Sequence, residues 1–129
     1  MPRVVHFEIH AEKPEKAAEF YTKVFGWKIQ KWDGPVDYWL VSTGSPQERG
    51  IDGGIVRRQG PGPANMQAVN SYVCTMDVPN LDEYTRKVTA NGGTNVVPRM
   101  AIPGVGWLAY FKDTEGNIFG MMQNDPNAK

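Results

Sequence analysis

The chain has 129 residues, with a hydrophobic fraction of 40% and a charged fraction of 22%, as in an ordinary folded protein. Its 14 basic residues balance its 14 acidic residues, so the composition predicts no surface for nucleic acid or for an anionic membrane. The single cysteine, Cys74, excludes an internal disulfide and a cysteine-based metal site.

The N-terminal segment MPRVVHFEIHAEKPEK lacks the basic and apolar regions of a signal peptide. No apolar run approaches the roughly 20 residues that span a membrane. We therefore expect a cytoplasmic protein with no membrane partner, folded as one domain over residues 1–129.

The first strand is predicted over residues 3–10, where apolar and polar side chains alternate. Phe7 and Ile9 fall on one face of this strand, and His6 and Glu8 fall on the other. A helix follows from Pro14 to about residue 24 and ends at Gly26. Its apolar stripe is predicted from residues at helical spacing: Ala17, Phe20, Tyr21 and Val24.

Three more strands are predicted over residues 27–32, 37–43 and 51–58, separated by Gly- and Pro-containing turns. A Gly/Pro-rich linker, residues 59–68, then ends the first unit, which covers about residues 3–58.

The same order of elements recurs in the second half, over about residues 69–123. A strand over residues 69–76 precedes a helix that begins after Asn80 and ends at the glycines 92–93. The last three strands are predicted over residues 94–99, 105–112 and 117–123. The chain is therefore predicted to be an α+β protein made of two tandem βαβββ units.

Three segments together resemble the vicinal-oxygen-chelate superfamily, which includes glyoxalases, bleomycin-resistance proteins and extradiol dioxygenases. They are VVHFEIHAEKPEKAAEFYTKVFGW near the N-terminus, GGIVRR at residues 53–58, and FKDTEGNIFGMMQ at residues 111–123. The resemblance runs from about Val4 to Gln123. It implies that the βαβββ units form a cupped half-barrel sheet around a cavity, and that the protein is a homodimer.

Metal-dependent members of that superfamily carry ligands on the first and last strand of each unit. In this chain those positions correspond to His6, Gly54, Ser71 and Gly120. Glycine has no side-chain donor, and a histidine with a serine hydroxyl is a weak ligand set for a divalent ion. The sequence therefore predicts no cofactor, and a divalent metal is disfavoured. A displaced metal site made of His6, Glu8 and Asp52 is the alternative.

Glycine inside a strand often marks the close approach of a ligand, so the two glycines predict open space in a mostly apolar cavity. The predicted ligand-binding residues are His6, Glu8, Gly54, Ser71, Val73, Ile118, Gly120, Met122 and Trp107. His6 and Glu8 are also the candidates for an acid/base pair, although a structural ion pair or hydrogen bond is the favoured interpretation.

Three functions remain open from the sequence. The first is a metal-free protein of this superfamily that binds a small organic molecule in the sheet cavity. The second is a metal-dependent lyase or dioxygenase of the glyoxalase type that uses His6 and nearby carboxylates. The third is a non-enzymatic interaction module whose sheets serve to dimerise.

Overall fold

A computed structural model describes residues 2–68 and 72–129 of the chain. They form two compact units: the first comprises residues 6–68 and Tyr72, and the second comprises residues 73–129 together with the N-terminal residues 2–5. The predicted α+β fold with the βαβββ order in each half is confirmed. In the described ranges, no helix combines the length and the apolar character needed to cross a membrane.

The first unit contains one helix and a four-stranded sheet. Its elements in chain order are β1 (Arg3–Ala11, which starts ahead of the unit boundary), α1 (Pro14–Phe25), β2 (Lys28–Lys31), β3 (Tyr38–Ser42) and β4 (Asp52–Arg57). The strands lie in the order β2-β3-β4-β1. Strand β1 runs parallel to β4, and the other neighbours are antiparallel. Strand β1 continues one residue past its predicted end, whereas β2, β3 and β4 are each one residue shorter at both ends than predicted.

Helix α1 begins and ends where the sequence predicts. Pro14 lies in its first turn, where its missing N–H removes no helical hydrogen bond. Gly26 ends the helix in the left-handed conformation with φ 72°, and its N–H donates to the Thr22 carbonyl at 2.9 Å. A residue with a Cβ pays a steric cost in this conformation, so glycine is favoured at the end of the helix.

The predicted apolar stripe of α1 is partly wrong. Ala17, Ala18 and Tyr21 pack against the core of the first unit. Phe20 and Val24 are instead each 56% exposed. The reason is aromatic stacking: the Tyr21 ring lies 5.0 Å from the Trp27 ring, at 8° between their planes, which fixes the rotation of the helix.

The core of the first unit lies between α1 and one face of the sheet. Its buried residues come from β1, β3 and β4: Phe7, Ile9, Trp39, Val41 and Ile55. Ile55 has no exposed surface, and full burial of such a side chain contributes about 1.5–3 kcal/mol to stability. Alternation along each strand then directs the intervening side chains to the opposite face.

The second unit repeats this order. Its elements are β5 (Tyr72–Asp77), α2 (Leu81–Ala90), β6 (Thr94–Ile102), β7 (Gly106–Lys112) and β8 (Ile118–Asn124). The strands lie in the order β5-β8-β7-β6. The predicted strand over residues 69–76 begins in residues that lie outside the described ranges. Strand β6 continues three residues past its predicted end, and its register with β7 shifts between Asn95 and Met100, on either side of Pro98.

Helix α2 is capped by Asn80, as predicted, because its side chain accepts a hydrogen bond of 2.8 Å from the Glu83 N–H. The helix buries Leu81, and Tyr84 and Val88 on the same stripe pack against the core of the second unit. The remaining core residues of the second unit are Val78, Ala109, Phe111 and Met121.

Candidate functional site

The polar side chains of β1 share the face of the first sheet that points away from α1. His6 is half-buried and Glu8 is 8% exposed. The parallel register with β4 places His6 beside Asp52 and Glu8 beside Gly54. This face therefore concentrates an imidazole and two carboxylates, as the alternation in the sequence predicts.

Tyr38, at the start of β3, fills the space on Gly54. A Cβ atom added to Gly54 would collide with the hydroxyl and ring carbons of Tyr38. The sequence prediction that Gly54 opens free space for a ligand is therefore wrong. The missing side chain makes room for the ring of a tyrosine on the neighbouring strand, an arrangement in which an aromatic residue covers a strand glycine.

The Tyr38 hydroxyl joins His6 and Glu8 into one hydrogen-bonded group. It lies 2.6 Å from His6 Nε2 and is hydrogen-bonded to the Glu8 carboxylate. A phenol has a single proton, so the arrangement that satisfies all three groups has Tyr38 donating to Glu8 and His6 Nε2–H donating to Tyr38. His6 Nδ1 is then left as an acceptor.

The environment of this group keeps His6 neutral and Tyr38 protonated. Burial lowers the pKa of His6 below its ordinary value of 6.5, although the Glu8 and Asp52 carboxylates act in the opposite direction. Burial also raises the pKa of Tyr38 above its ordinary value of 10, and the charge and hydrogen bond of Glu8 add to that effect. At neutral pH, therefore, the imidazole is uncharged and is able to accept a proton.

His10 extends the same face by one more position. Its Nε2 atom lies 4.0 Å from Glu8 Oε1, which is beyond hydrogen-bond distance. That nitrogen is buried and has no hydrogen-bond partner among the described residues. Because a buried polar atom without a partner costs free energy, this nitrogen is an unsatisfied polar group beside Glu8.

The metal positions of the superfamily in the first unit do not fit an ion. Gly54 offers no donor, and the Tyr38 ring lies on it. The Nε2 atom of His6 is engaged by Tyr38. Within residues 2–68 and 72–129, no group of three or more His, Cys, Asp or Glu side chains is arranged to hold a metal ion. His6, Glu8 and Asp52, the residues of the alternative site, are not arranged as such a group.

The second unit has an analogous glycine. A Cβ on Gly120 would approach Thr75 Oγ1 to 2.8 Å and the Tyr110 ring to 3.2 Å. The predicted positions Ile118, Gly120 and Met122 alternate with the core residue Met121, so they lie on the face away from α2. Val73 shares the face of Thr75 on β5. Ser71 lies outside the described residues.

Trp107 does not share this face. Its ring packs against the core of the second unit, on the side of α2. Its indole N–H donates to Asp125 at 3.0 Å, and the Arg99 guanidinium lies 4.8 Å from the ring centroid. A hydrogen bond and a cation–π contact therefore hold this ring in a structural position, which is at odds with its predicted role as a pocket wall.

A cleft of about 790 Å³ lies at the edge of the first unit, next to the His6 group. Its walls come from the end of α1 and from all four strands: His6, Thr22, Gly26, Trp27, Lys28, Ile29, Gln30, Leu40, Val41, Ser42, Asp52 and Gly53. The volume lies within the usual range for small-molecule sites, about 300–1,000 Å³.

Three features of this site were missed by reasoning on the sequence: the role of Tyr38, the partnerless nitrogen of His10, and the cleft with Lys28 in its wall. A glycine inside a strand signals close approach by some group. Alternation in β3 also directs Tyr38 to the face of Gly54, because Trp39 and Val41 are the buried residues. These two signals together point to Tyr38, but the register of β3 against β4 is needed to join them.

Comparisons with known proteins agree with this fold. Residues 3–44 match a family model described as bleomycin resistance protein-like N-terminal. A glyoxylase-like domain-containing protein of Didymella fabae is 32% identical over 113 residues, which are 85% of this chain and 84% of that protein.

Two solved structures have a similar fold. Methylmalonyl-CoA epimerase from Mycobacterium tuberculosis matches with a TM-score of 0.66 and 14% identity, over 95% of this chain and 88% of that one. A variant of Streptomyces coelicolor methylmalonyl-CoA epimerase in complex with 2-nitronate-propionyl-CoA matches with a TM-score of 0.68 and 12% identity, over 98% and 97%. At such identities the likeness defines the fold alone.

Proposed function

Because this chain belongs to the glyoxalase-like, bleomycin-resistance-like proteins of the vicinal-oxygen-chelate superfamily, we propose that it is a metal-free member that binds a small organic molecule. The observation that carries the proposal is the position of Tyr38. Its ring lies on Gly54, and its hydroxyl engages His6, the residue that matches the superfamily's first metal ligand.

The same group supports binding of an organic ligand. His6 Nδ1 is an acceptor in the arrangement derived above, and His10 Nε2 is buried without a partner among the described residues. Buried polar atoms of this kind fix the orientation of a ligand whose apolar part supplies most of the buried area. The role of these atoms is recognition by hydrogen bonds, with no ion needed.

Metal content tests the first half of the proposal. We expect protein purified without chelators to contain far less than one equivalent of any divalent metal by elemental analysis. Titration with Zn²⁺, Mn²⁺ or Co²⁺ should also give no stoichiometric binding by calorimetry. Tight binding of one equivalent, lost in His6→Ala, would overturn the metal-free assignment and favour the metal-dependent lyase or dioxygenase.

A ligand screen tests the second half. We expect some small organic compounds to raise the melting temperature, with the same shift in the presence of EDTA. Tyr38→Phe, which removes only the hydroxyl, should reduce that shift. Tyr84→Phe is the matched control, since Tyr84 packs against the core of the second unit from α2. A broad screen without any stabilising compound would favour the interaction-module interpretation.

A second candidate function is proton transfer without a metal. It is favoured by the chain of hydrogen bonds from His6 through Tyr38 to Glu8, which holds a neutral imidazole ready to accept a proton. An enzyme of this kind would exchange the acidic C–H of a carbonyl compound with solvent. Incubation of such compounds in D₂O, followed by NMR, should then show deuterium uptake with the wild type and none with His6→Gln.

We also propose that the protein is a homodimer. The support is an exposed apolar patch at the end of α1, formed by Phe20, Val24 and Phe25, which are 56%, 56% and 60% exposed. Light scattering at micromolar concentration should give twice the chain mass. Phe20→Lys should shift the mass toward the monomer if the patch is the interface, and a monomeric wild type would refute the dimer.

A further inference from the structure

Among the described residues that line the cleft at the edge of the first sheet, one carries an ammonium group. Lys28 begins β2, and its partner in the register with β3 is Ser42. In the same cleft wall, Asp52 and His6 are partners in the register of β4 with β1. An ammonium, a hydroxyl, a carboxylate and an imidazole therefore line one side of this cleft.

Lys28 is exposed and forms no ion pair with any described residue. The other lysine of β2, Lys31, does form an ion pair, because its Nζ atom lies 3.5 Å from the Asp37 carboxylate. The Asp52 carboxylate in the same lining is hydrogen-bonded to Thr43, since its Oδ1 accepts hydrogen bonds from the backbone N–H and the hydroxyl of Thr43. The positive charge of Lys28 is thus available to a ligand.

Apolar surface lies beside this charge. Leu40, in the middle of β3, is 47% exposed within the cleft wall. The half-buried Trp27 lines the same cleft at the end of α1. The lining of this cleft therefore includes two apolar residues, Leu40 and Trp27, together with Lys28.

We propose that this cleft binds a small organic acid, with its carboxylate on Lys28 and its apolar body against Leu40 and Trp27. This inference rests on the proposed function and specifies the class of ligand. The ammonium donates charge-assisted hydrogen bonds to the carboxylate. The apolar wall excludes water from one side of that pair, which strengthens it relative to an exposed surface pair.

The probes are 3-phenylpropanoate and its uncharged analogue 3-phenylpropanamide, which differ only in the charged group. Binding is followed by tryptophan fluorescence and by calorimetry at low ionic strength. We expect the acid to bind about threefold to tenfold more tightly than the amide, and we expect added salt to reduce that difference.

Two variants assign the effect to one residue. Lys28→Met keeps an unbranched side chain but removes the charge, so the acid should bind no better than the amide. Lys16→Met is the matched control, because Lys16 is exposed on α1 and lies outside the cleft lining. The acid should keep its affinity for that variant.

Equal affinity for acid and amide in the wild type, or an unchanged preference in Lys28→Met, would overturn this inference. The metal-free binding function would still stand if other compounds stabilised the protein in the presence of EDTA. If neither probe binds and no compound in the broad screen stabilises the protein, both the ligand class and the proposed function fail.

Discussion

The contact between Tyr38 and Gly54 predicts that substitutions at the two positions are coupled. Gly54→Ala adds one methyl group where the hydroxyl and ring of Tyr38 lie. The tyrosine must then move, which also disturbs its contacts with His6 and Glu8. In a Tyr38→Ala background the same methyl group enters space that the ring has vacated.

The expected magnitude follows from two opposing terms. Overpacking a buried site costs about 2–3 kcal/mol when a ring has to move. Alanine in place of glycine inside a strand returns about 0.5–1 kcal/mol through backbone entropy. Gly54→Ala should therefore destabilise the wild type by about 1–2.5 kcal/mol. In the Tyr38→Ala background it should stabilise by about 0.5–1 kcal/mol, which gives a coupling energy of about 2–3 kcal/mol.

Urea unfolding of the wild type, both single variants and the double variant measures this coupling. Gly62→Ala is the matched control, because a Cβ at Gly62 meets no atom and its backbone φ lies outside the left-handed region. That substitution should change stability by less than about 0.5 kcal/mol. An equal effect of Gly54→Ala in both backgrounds would show that Tyr38 does not lie on Gly54, and the metal-free proposal would lose its main support.

The remaining predictions concern pH, an indole and a helix cap. Burial lowers the pKa of His6, so the stability that its neutral imidazole contributes should be complete above the ordinary pKa of 6.5. That contribution should fall as the pH drops from 6.5 through the lowered pKa of the folded protein. Urea unfolding at several pH values should show a smaller loss of stability in His6→Asn. Trp107→Phe should cost about 1–2 kcal/mol, because the indole N–H loses Asp125, while ligand affinity stays unchanged in calorimetry. Asn80→Ala should cost about 1 kcal/mol in urea unfolding, since the Glu83 N–H loses its cap, whereas Asn80→Asp should cost little.

Much of the fold could be predicted from the sequence. Alternation along β1 separates Phe7 and Ile9 from His6 and Glu8, and the structure has the same division. The glycine that ends α1 and the asparagine that caps α2 were both identifiable, because these residue types satisfy backbone requirements that are local in the chain. Family resemblance extended the same pattern to nearly the whole chain.

The rotation of α1 could not be predicted in the same way. Helical spacing permits Phe20 and Val24 to face the sheet, but the stacking of Tyr21 on Trp27 fixes a different face. The partner ring lies beyond the end of the helix, so the periodicity of the helix alone contains no information about it. Trp107 is similar, because its partners Arg99 and Asp125 are known only once β7 is paired with β6 and with β8.

The candidate site shows the same division between local and tertiary information. The sequence by itself determined that Gly54 lacks a metal donor and that His6 and Glu8 share one strand face, since both facts follow from residue type and a period of two. Only the tertiary structure decided what occupies the space on Gly54. A glycine permits close approach by any group, and the pairing of β3 with β4 determines that this group is the Tyr38 ring.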